Sequence, residues 1–349
     1  MGVTALALAL GASACTPQMM TDLWTKYQQS NEPTHLWTGG DGTFSVELPD
    51  GRIIWLFSDT YLGDVNPDGT RSTAPPIASN TAVVQDVNGG DLLETKAGAD
   101  NRGFLGSQYW IMDGTVEGSS LRIFANNKGG GTSGIATVSL PGLVPTGTVQ
   151  SVPSAHPDVS GVILWGGSIL EESDYTYVYG DARPTGALYF TTYLARVPAG
   201  QLTIGTWEYW TRTGWSTTLA DARPLADQAG QNVRASGSVV AHDGHYVLVG
   251  KENQWFTDEI RAYTSPSPAG PFTGPTVVYE TPEHGQPCGE RTRFTYRVNA
   301  HPAYQQQNGA MLFSYNVHCQ ASPPEGYDPS WNWADASLYR ARFIGLDLP

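Results

Sequence analysis

Cations are scarce in this chain. Its 349 residues hold 19 Lys and Arg against 33 Asp and Glu, a formal charge of −14, and charged residues make up only 15%. No basic run occurs, which excludes a nucleic-acid partner, because phosphate binding needs clustered Lys and Arg. Cysteine is rarer still, at three residues, and the seven histidines are scattered. Neither CxxC nor HExxH is present, so no zinc site is expected. A structural calcium along a central channel stays open. No apolar run after the N-terminus is long enough to span a bilayer. G-x-S-x-G, a Walker-type GKS or GKT and a dinucleotide fingerprint are all missing, as is the repeated S-x-D-x-G-x-T-W box of sialidases.

Glycine, proline and aromatic residues are plentiful: 40 Gly, 24 Pro, 11 Trp, 17 Tyr and 10 Phe. Short runs of Val, Ile, Tyr, Trp and Thr alternate with Gly and Pro along the whole chain, which predicts many strands and many turns. One pattern recurs, a short strand opening on small or polar residues, a turn, then an apolar strand. It starts at Asp41, Asp113, Trp165, Ala235 and Asn299. Each unit has room for a four-stranded sheet, and such sheets need neighbours to bury both faces. An all-β fold is therefore expected, a five-bladed β-propeller with one short N-terminal helix in "MMTDLWTKYQQS". A β-sandwich or a two-domain all-β arrangement is the rival. The last strand, "SLYRARFIGLDL", is expected to pair with the N-terminal segment and close the ring.

The most informative stretch is "WTGGDGTFSVELPDGRIIWLFSDTYLGD", residues 37–64. In "LPDGR", Pro49 presets φ for a type I turn and Gly51 can take the left-handed position after it. That makes a three-residue hairpin loop with a bulge, pairing Leu48 with Arg52. Counting outward pairs Val46 with Ile54, Phe44 with Leu56, and Asp41 with Asp59. Opposed residues share a face with Cβ atoms roughly 5 Å apart, and like charges there destabilise the pair. Two carboxylates so placed split their proton affinities, the division of labour that glycoside hydrolysis uses. The alternative roles are structural, with Asp41 capping the turn in "GGDGT" and Asp59 bonding backbone in "SDTY". Asp113 repeats the position of Asp41 in the second unit and is expected to bind sugar hydroxyls or to serve as a third acid, unless it only makes the turn before Gly114. Asn80, Gln108, Trp110, Trp165, Asn299 and His301 are the further substrate-binding candidates, with Ser236, Glu252 and Asn316 as other channel-lining positions. Most tryptophans are expected to be core; Trp255 and the Trp331–Trp333 pair are candidate rims of a groove.

The N-terminal "MGVTALALALGASAC" reads as a signal-like segment over residues 1–15, ending in a degenerate lipoprotein signal at Cys15. Residues 16–36 read as a linker with the helix, and residues 37–349 as the propeller. Secretion or a lipid-anchored place at the cell surface is expected, as is a monomer, since propellers are commonly self-sufficient. Cys288 and Cys319 flank two strands of a hairpin turning at Asn308–Gly309, close enough for a disulfide in an oxidising compartment.

Together, residues 37–64 with "SNTAVVQD", "DGTVEGSSLRIF", "NAHPAYQQQNGAMLFSYNVH" and "YRARFIGLDL" resemble the endo-D-arabinanases, glycoside hydrolase family 183. The resemblance runs from about Trp37 to the C-terminus and is most specific around Asp41 and Asp59. It implies a five-bladed propeller that cleaves internal α-D-arabinofuranosyl linkages of arabinogalactan and lipoarabinomannan with inversion, using Asp41 and Asp59. By analogy with other propeller glycosidases, whose base opens the first inner strand, Asp41 is assigned the base. An L-arabinanase or fructanase on the same scaffold would draw its acid from a later blade, at Glu171, Glu172 or Glu252. A non-catalytic carbohydrate-binding propeller would need no such acid pair.

Overall fold

A computed structural model describes residues 16–72, 74–252, 257–305, 309–319 and 330–349. Cys15, Trp255 and Asn308 therefore lie outside the described residues. No helix among those described is long and apolar enough to cross a membrane.

The chain is all-β, with six sheets and two short helices among the described residues. Five sheets contribute an innermost strand to a common axis: Phe44–Glu47, Tyr109–Glu117, Leu164–Glu171, Ala235–His242 and Arg291–Gln305. Each packs against the next, and the fifth packs against the first. The apolar cores follow the same circle. Phe44, Leu56, Ile111 and Ile123 fill the gap between the first two sheets, and Phe124, Trp165 and Val178 the next. Leu170, Leu194 and Leu248 follow, then Val247, Phe313 and Val317. The last gap holds Trp55, Leu312 and Phe343 together with Trp24 of the helix.

The small sixth sheet explains itself by its neighbours. Its strands, Trp37–Gly40, Thr60–Leu62 and Ile77–Ala78, adjoin three strands of the first sheet: Phe44–Glu47, Ile53–Phe57 and Thr81–Gln85. Two or three residues separate each pair. The two sheets are one ribbon creased at 41–43, 58–59 and 79–80.

The helix spans Pro17–Gln28, with Thr16 as N-cap and proline in its first turn, where a missing N–H costs nothing. Ring closure differs from the expectation. The final strand, Arg340–Leu346, pairs only with Met311–Cys319 among the described residues. The helix packs on it instead, and Arg340 Nη1 donates to Thr25 Oγ1 at 2.9 Å and Gln28 Oε1 at 2.8 Å. An N-terminal helix has satisfied its own backbone and offers no edge to pair with.

Cys288 and Cys319 form a disulfide across 31 residues. Closing a loop of that length stabilises by about 3–4 kcal/mol in the chain-entropy account. Reduction of the folded protein is expected to lower Tm by roughly 5 °C; differential scanning calorimetry with and without a phosphine reductant checks it, and an unchanged Tm would show the bridge contributes nothing.

Candidate active site

The hairpin "LPDGR" folds as the turn residues dictate. Leu48 N–H donates to Arg52 O at 2.8 Å, Gly51 N–H to Leu48 O at 2.9 Å, and Gly51 has φ +84°. The register is Phe44 with Leu56 and Val46 with Ile54. At the crease the pairing loosens by one residue. Asp41 N–H donates to Asp59 O at 2.9 Å, while its carbonyl accepts from Ser58 N–H at 2.7 Å. Gly42 at φ +98° and Thr43 at φ +59° turn the chain sharply there, and a β-branched residue in that region is uncommon enough to mark strain.

Both carboxylates line one cavity of about 600 Å³ at this end of the axis, within the size range of small-ligand sites. Its wall is aromatic, including Tyr61, Trp110, Phe190, Phe294, Tyr296 and Tyr339. Burial pushes Asp41 up to about 6; the adjacent Asp59 charge adds to the rise, while the Tyr296 hydroxyl and Arg297 oppose it. Asp59 is held differently. Lys128 Nζ sits 2.5 Å from its Oδ1, Trp110 Nε1 donates to its Oδ2 at 2.9 Å, and the ammonium lies 5.4 Å from the Trp110 ring centroid.

The floor of the cavity is a buried ion pair. Arg297, at φ +52° in a register break between Tyr296 and Val298, sends Nη1 to Asp181 Oδ2 at 2.9 Å and Nη2 to Gly167 O at 2.7 Å. Ser236 Oγ donates to the same Asp181 oxygen at 2.5 Å. Burial raises the Asp181 carboxyl above the usual range, with Arg297 pulling it back. Lys128, Tyr296, Arg297, Asp181 and His318 were not among the sequence candidates.

Of the seven substrate-binding candidates, the cavity takes in Trp110 alone among the described residues. Asp113 faces a second cavity of about 570 Å³ with Glu171. Along the first, second, third and fifth inner strands the residues of the second cavity follow those of the first, so it opens at the other end of the axis. There Asp113 accepts from Gly114 N–H and, at 3.0 Å, from Ile169 N–H of the next sheet. Asn80 is buried and braces the 103–109 loop through Gly106 O, Tyr109 O and Leu105 N–H. Gln108 is exposed on an outer groove. Trp165 is fully buried, with Nε1 on Pro153 O. Asn299 donates to Gly42 O and Thr43 O. His301 bridges Ser45 and Ser314 at 2.8 Å each, and burial lowers it to about 3. Asn316 donates to Gly40 O at 3.0 Å. For Asp113, Asn80, Asn299 and Asn316 the physical reason is shared: their polar groups satisfy backbone of a neighbouring segment before any ligand arrives. Trp331 packs against Gly289, and neither it nor Trp333 lines the cavity.

Burial pushes Asp113 up to about 7. A folded value above the ordinary 3.8 gives stability that is present below pH 3.8 and lost as pH rises through about 7. Asp113→Asn removes the charge but keeps only one of the two oxygens that accept from Gly114 and Ile169. Its Tm is therefore expected to lie below wild type under pH 4 and to gain roughly a few degrees relative to wild type between pH 4 and pH 8. A thermal melt at both values checks it.

Among the described residues no group of three or more His, Cys, Asp or Glu could hold a metal ion. The cavity sets two differently held carboxylates, Asp41 and Asp59, against aromatic faces.

Residues 24–347 match the family model described as "Domain of unknown function (DUF5005)". The chain belongs to that family. No curated protein matches it. Among solved structures, a protein from Bacteroides ovatus ATCC 8483 described as a "putative hydrolase" is 21% identical with a TM-score of 0.63, over 94% of this chain and 88% of that one. The GH43_1 enzyme from Xanthomonas citri, solved with xylotriose, is 14% identical with a TM-score of 0.51, over 97% and 96%. The RS223 β-xylosidase is 11% identical with a TM-score of 0.51, over 89% and 95%. This member of the family thus shares its fold with glycoside hydrolases. The family description and these structures name no D-arabinan substrate.

Proposed function

We propose that the protein is a five-bladed propeller glycoside hydrolase that cleaves internal α-D-arabinofuranosyl linkages of a D-arabinan. The five mutually packed inner strands support the blade count, with the creased sixth sheet belonging to the first blade. GH43 enzymes, to which similar structures belong, are five-bladed propellers. The observation that carries the catalytic reading is the unequal holding of two carboxylates in one aromatic cavity. Asp41, with its proton retained to about pH 6, serves as the acid; this reverses the role assigned by analogy from the sequence. Its proton goes to the glycosidic oxygen as the anomeric C–O bond breaks. Asp59, beside the Lys128 ammonium, takes a proton from the water whose oxygen bonds to the anomeric carbon. One water is consumed, and solvent exchange restores both groups.

The D-arabinan substrate and the inverting outcome rest on the resemblance around Asp41 and Asp59. An acid drawn from a later blade receives no support. Glu171 accepts from Thr115 and faces the other cavity. Tyr246 holds Glu172, and Tyr263 with Arg261 holds Glu252. A secreted or lipid-anchored location belongs to the same proposal, since the polymer lies outside the cell. Incubation with purified D-arabinan followed by product sizing tests it. A ladder of short oligosaccharides supports endo-hydrolysis, monosaccharide alone would replace it with exo action, and an unaltered polymer would remove D-arabinan as the substrate.

A further inference from the structure

The turn that carries Asp41 is held by groups from the neighbouring fifth sheet, which are held in turn from the third and fourth sheets. Among the described residues that turn, residues 41–43, lies outside the strand ladders, and two amides from the fifth sheet hold it and the adjoining Gly40. Asn299 Nδ2 donates to the carbonyls of Gly42 and Thr43, and Asn316 Nδ2 donates to Gly40 O. Asn299 is in turn oriented by Arg297, whose Nε donates to Asn299 Oδ1 at 3.2 Å. With that oxygen accepting, the amide nitrogen must face the turn. Arg297 is fixed by Asp181 of the third sheet and Ser236 of the fourth. Gly167 of the third inner strand lies beside this crossing; a Cβ there would sit 3.3 Å from Asp181 Oδ2 and 3.5 Å from Arg297 Nη2.

We infer that Asp181, Arg297 and Asn299 form a positioning relay that fixes the Asp41 carboxyl against Asp59 across the central cavity. Asp181 is then a counter-ion and not a third catalytic acid. Its carboxylate is spent on Arg297 and Ser236, whereas Asp41 and Asp59 stand partly open to the cavity. The strain at Thr43 and Arg297 fits this role, since backbone held in the left-handed region persists only where surrounding contacts enforce it. The charged and titratable groups facing Asp41 are Asp59, Tyr296 and Arg297, with Lys128, Asp181 and His318 on the same cavity. The relay acts through placement, because Asn299 carries no charge.

The kinetic arm of the test rests on the hydrolase reading; the second arm does not. Asn299→Ala and Arg297→Lys are compared with wild type. Arg297→Lys keeps the cation near Asp181 but loses the fork that orients Asn299. With D-arabinan, kcat is expected to fall about 10²-fold in both while KM stays within about threefold, the signature of a displaced reacting group. Independently of activity, amide hydrogen exchange reports on the turn. The Asp41 and Ser58 N–H groups, bonded to Asp59 O and Asp41 O, are expected to exchange about 10-fold faster in Asn299→Ala, with amides of the third sheet unchanged. Protection lost across the whole ring would mean a general structural role and overturn the relay. So would unchanged exchange at Asp41 and Ser58, or a wild-type kcat in folded Asn299→Ala. If wild type cleaves no D-arabinan, the substrate reading fails, and the exchange arm still decides the relay.

Discussion

Asp41→Asn and Asp59→Asn are each expected to lower kcat by at least about 10³-fold, because each removes one of two proton transfers on which the reaction depends. Their effects on stability should differ. Asp41 carries its proton to about pH 6 because burial disfavours the charge. A folded value above the ordinary 3.8 means stability present at low pH and lost as pH rises through about 6. Asparagine removes that loss, so Asp41→Asn should be inactive yet more stable than wild type at pH 8. Asp59→Asn should be inactive with stability nearly unchanged, since the Lys128 pair is about 30% exposed on both sides and such pairs contribute only about 0–1 kcal/mol. The same assignment fixes the pH profile. An acid that must be protonated makes kcat/KM fall about tenfold per pH unit above roughly 6. Product release followed from pH 4 to 9 checks this, and an alkaline limb lying above pH 8 would reject Asp41 as the acid.

How much of this site could be read beforehand follows from the range of each signal. Turn chemistry is local: Pro49, Gly51 and the apolar alternation around them set the register over residues 44–56. Counting outward from them reaches Asp41 and Asp59 without tertiary information. The five repeat starts likewise fall on or beside the five ring-forming sheets. Hydrophobic alternation says which way a side chain points but not what it meets, and there the reading failed. Asn299 and Asn80 are buried, and both are spent on backbone of a neighbouring segment. Trp165 meets the core between the second and third sheets. Arg297 was invisible because a register break and a left-handed φ turn it inward, against the expectation for arginine on a strand. Lys128 was recoverable in principle. Pairing of Trp110 with Asn126 puts the glycine-rich "NNKGGG" loop just beyond Trp110, on the rim that faces Asp59.

Arg297→Met is expected to produce the largest loss of stability among single substitutions in the cavity. Arg297 and Asp181 are 10% and 7% exposed in their side chains and 2.9 Å apart. Removing one member of a buried pair typically costs about 3–5 kcal/mol, because the other is left charged and unpartnered, which for a chain of this size is roughly 4–7 °C in Tm. The loss should depend on pH. Without the guanidinium, Asp181 keeps only Ser236 as a side-chain partner. Burial already raises its proton affinity, and loss of the cation raises it further. It is then neutral at low pH at little cost and must ionise in place at high pH, so the deficit should be larger at pH 8 than at pH 5. Asp181→Asn/Arg297→Met removes both charges, and its cost should fall short of the summed single costs by about 2 kcal/mol or more. Urea melts of the four proteins at both pH values measure that coupling. Additive costs, or a deficit independent of pH, would mean that the pair does not act as a unit and that Arg297 holds the floor of the cavity through Gly167 and Asn299 alone.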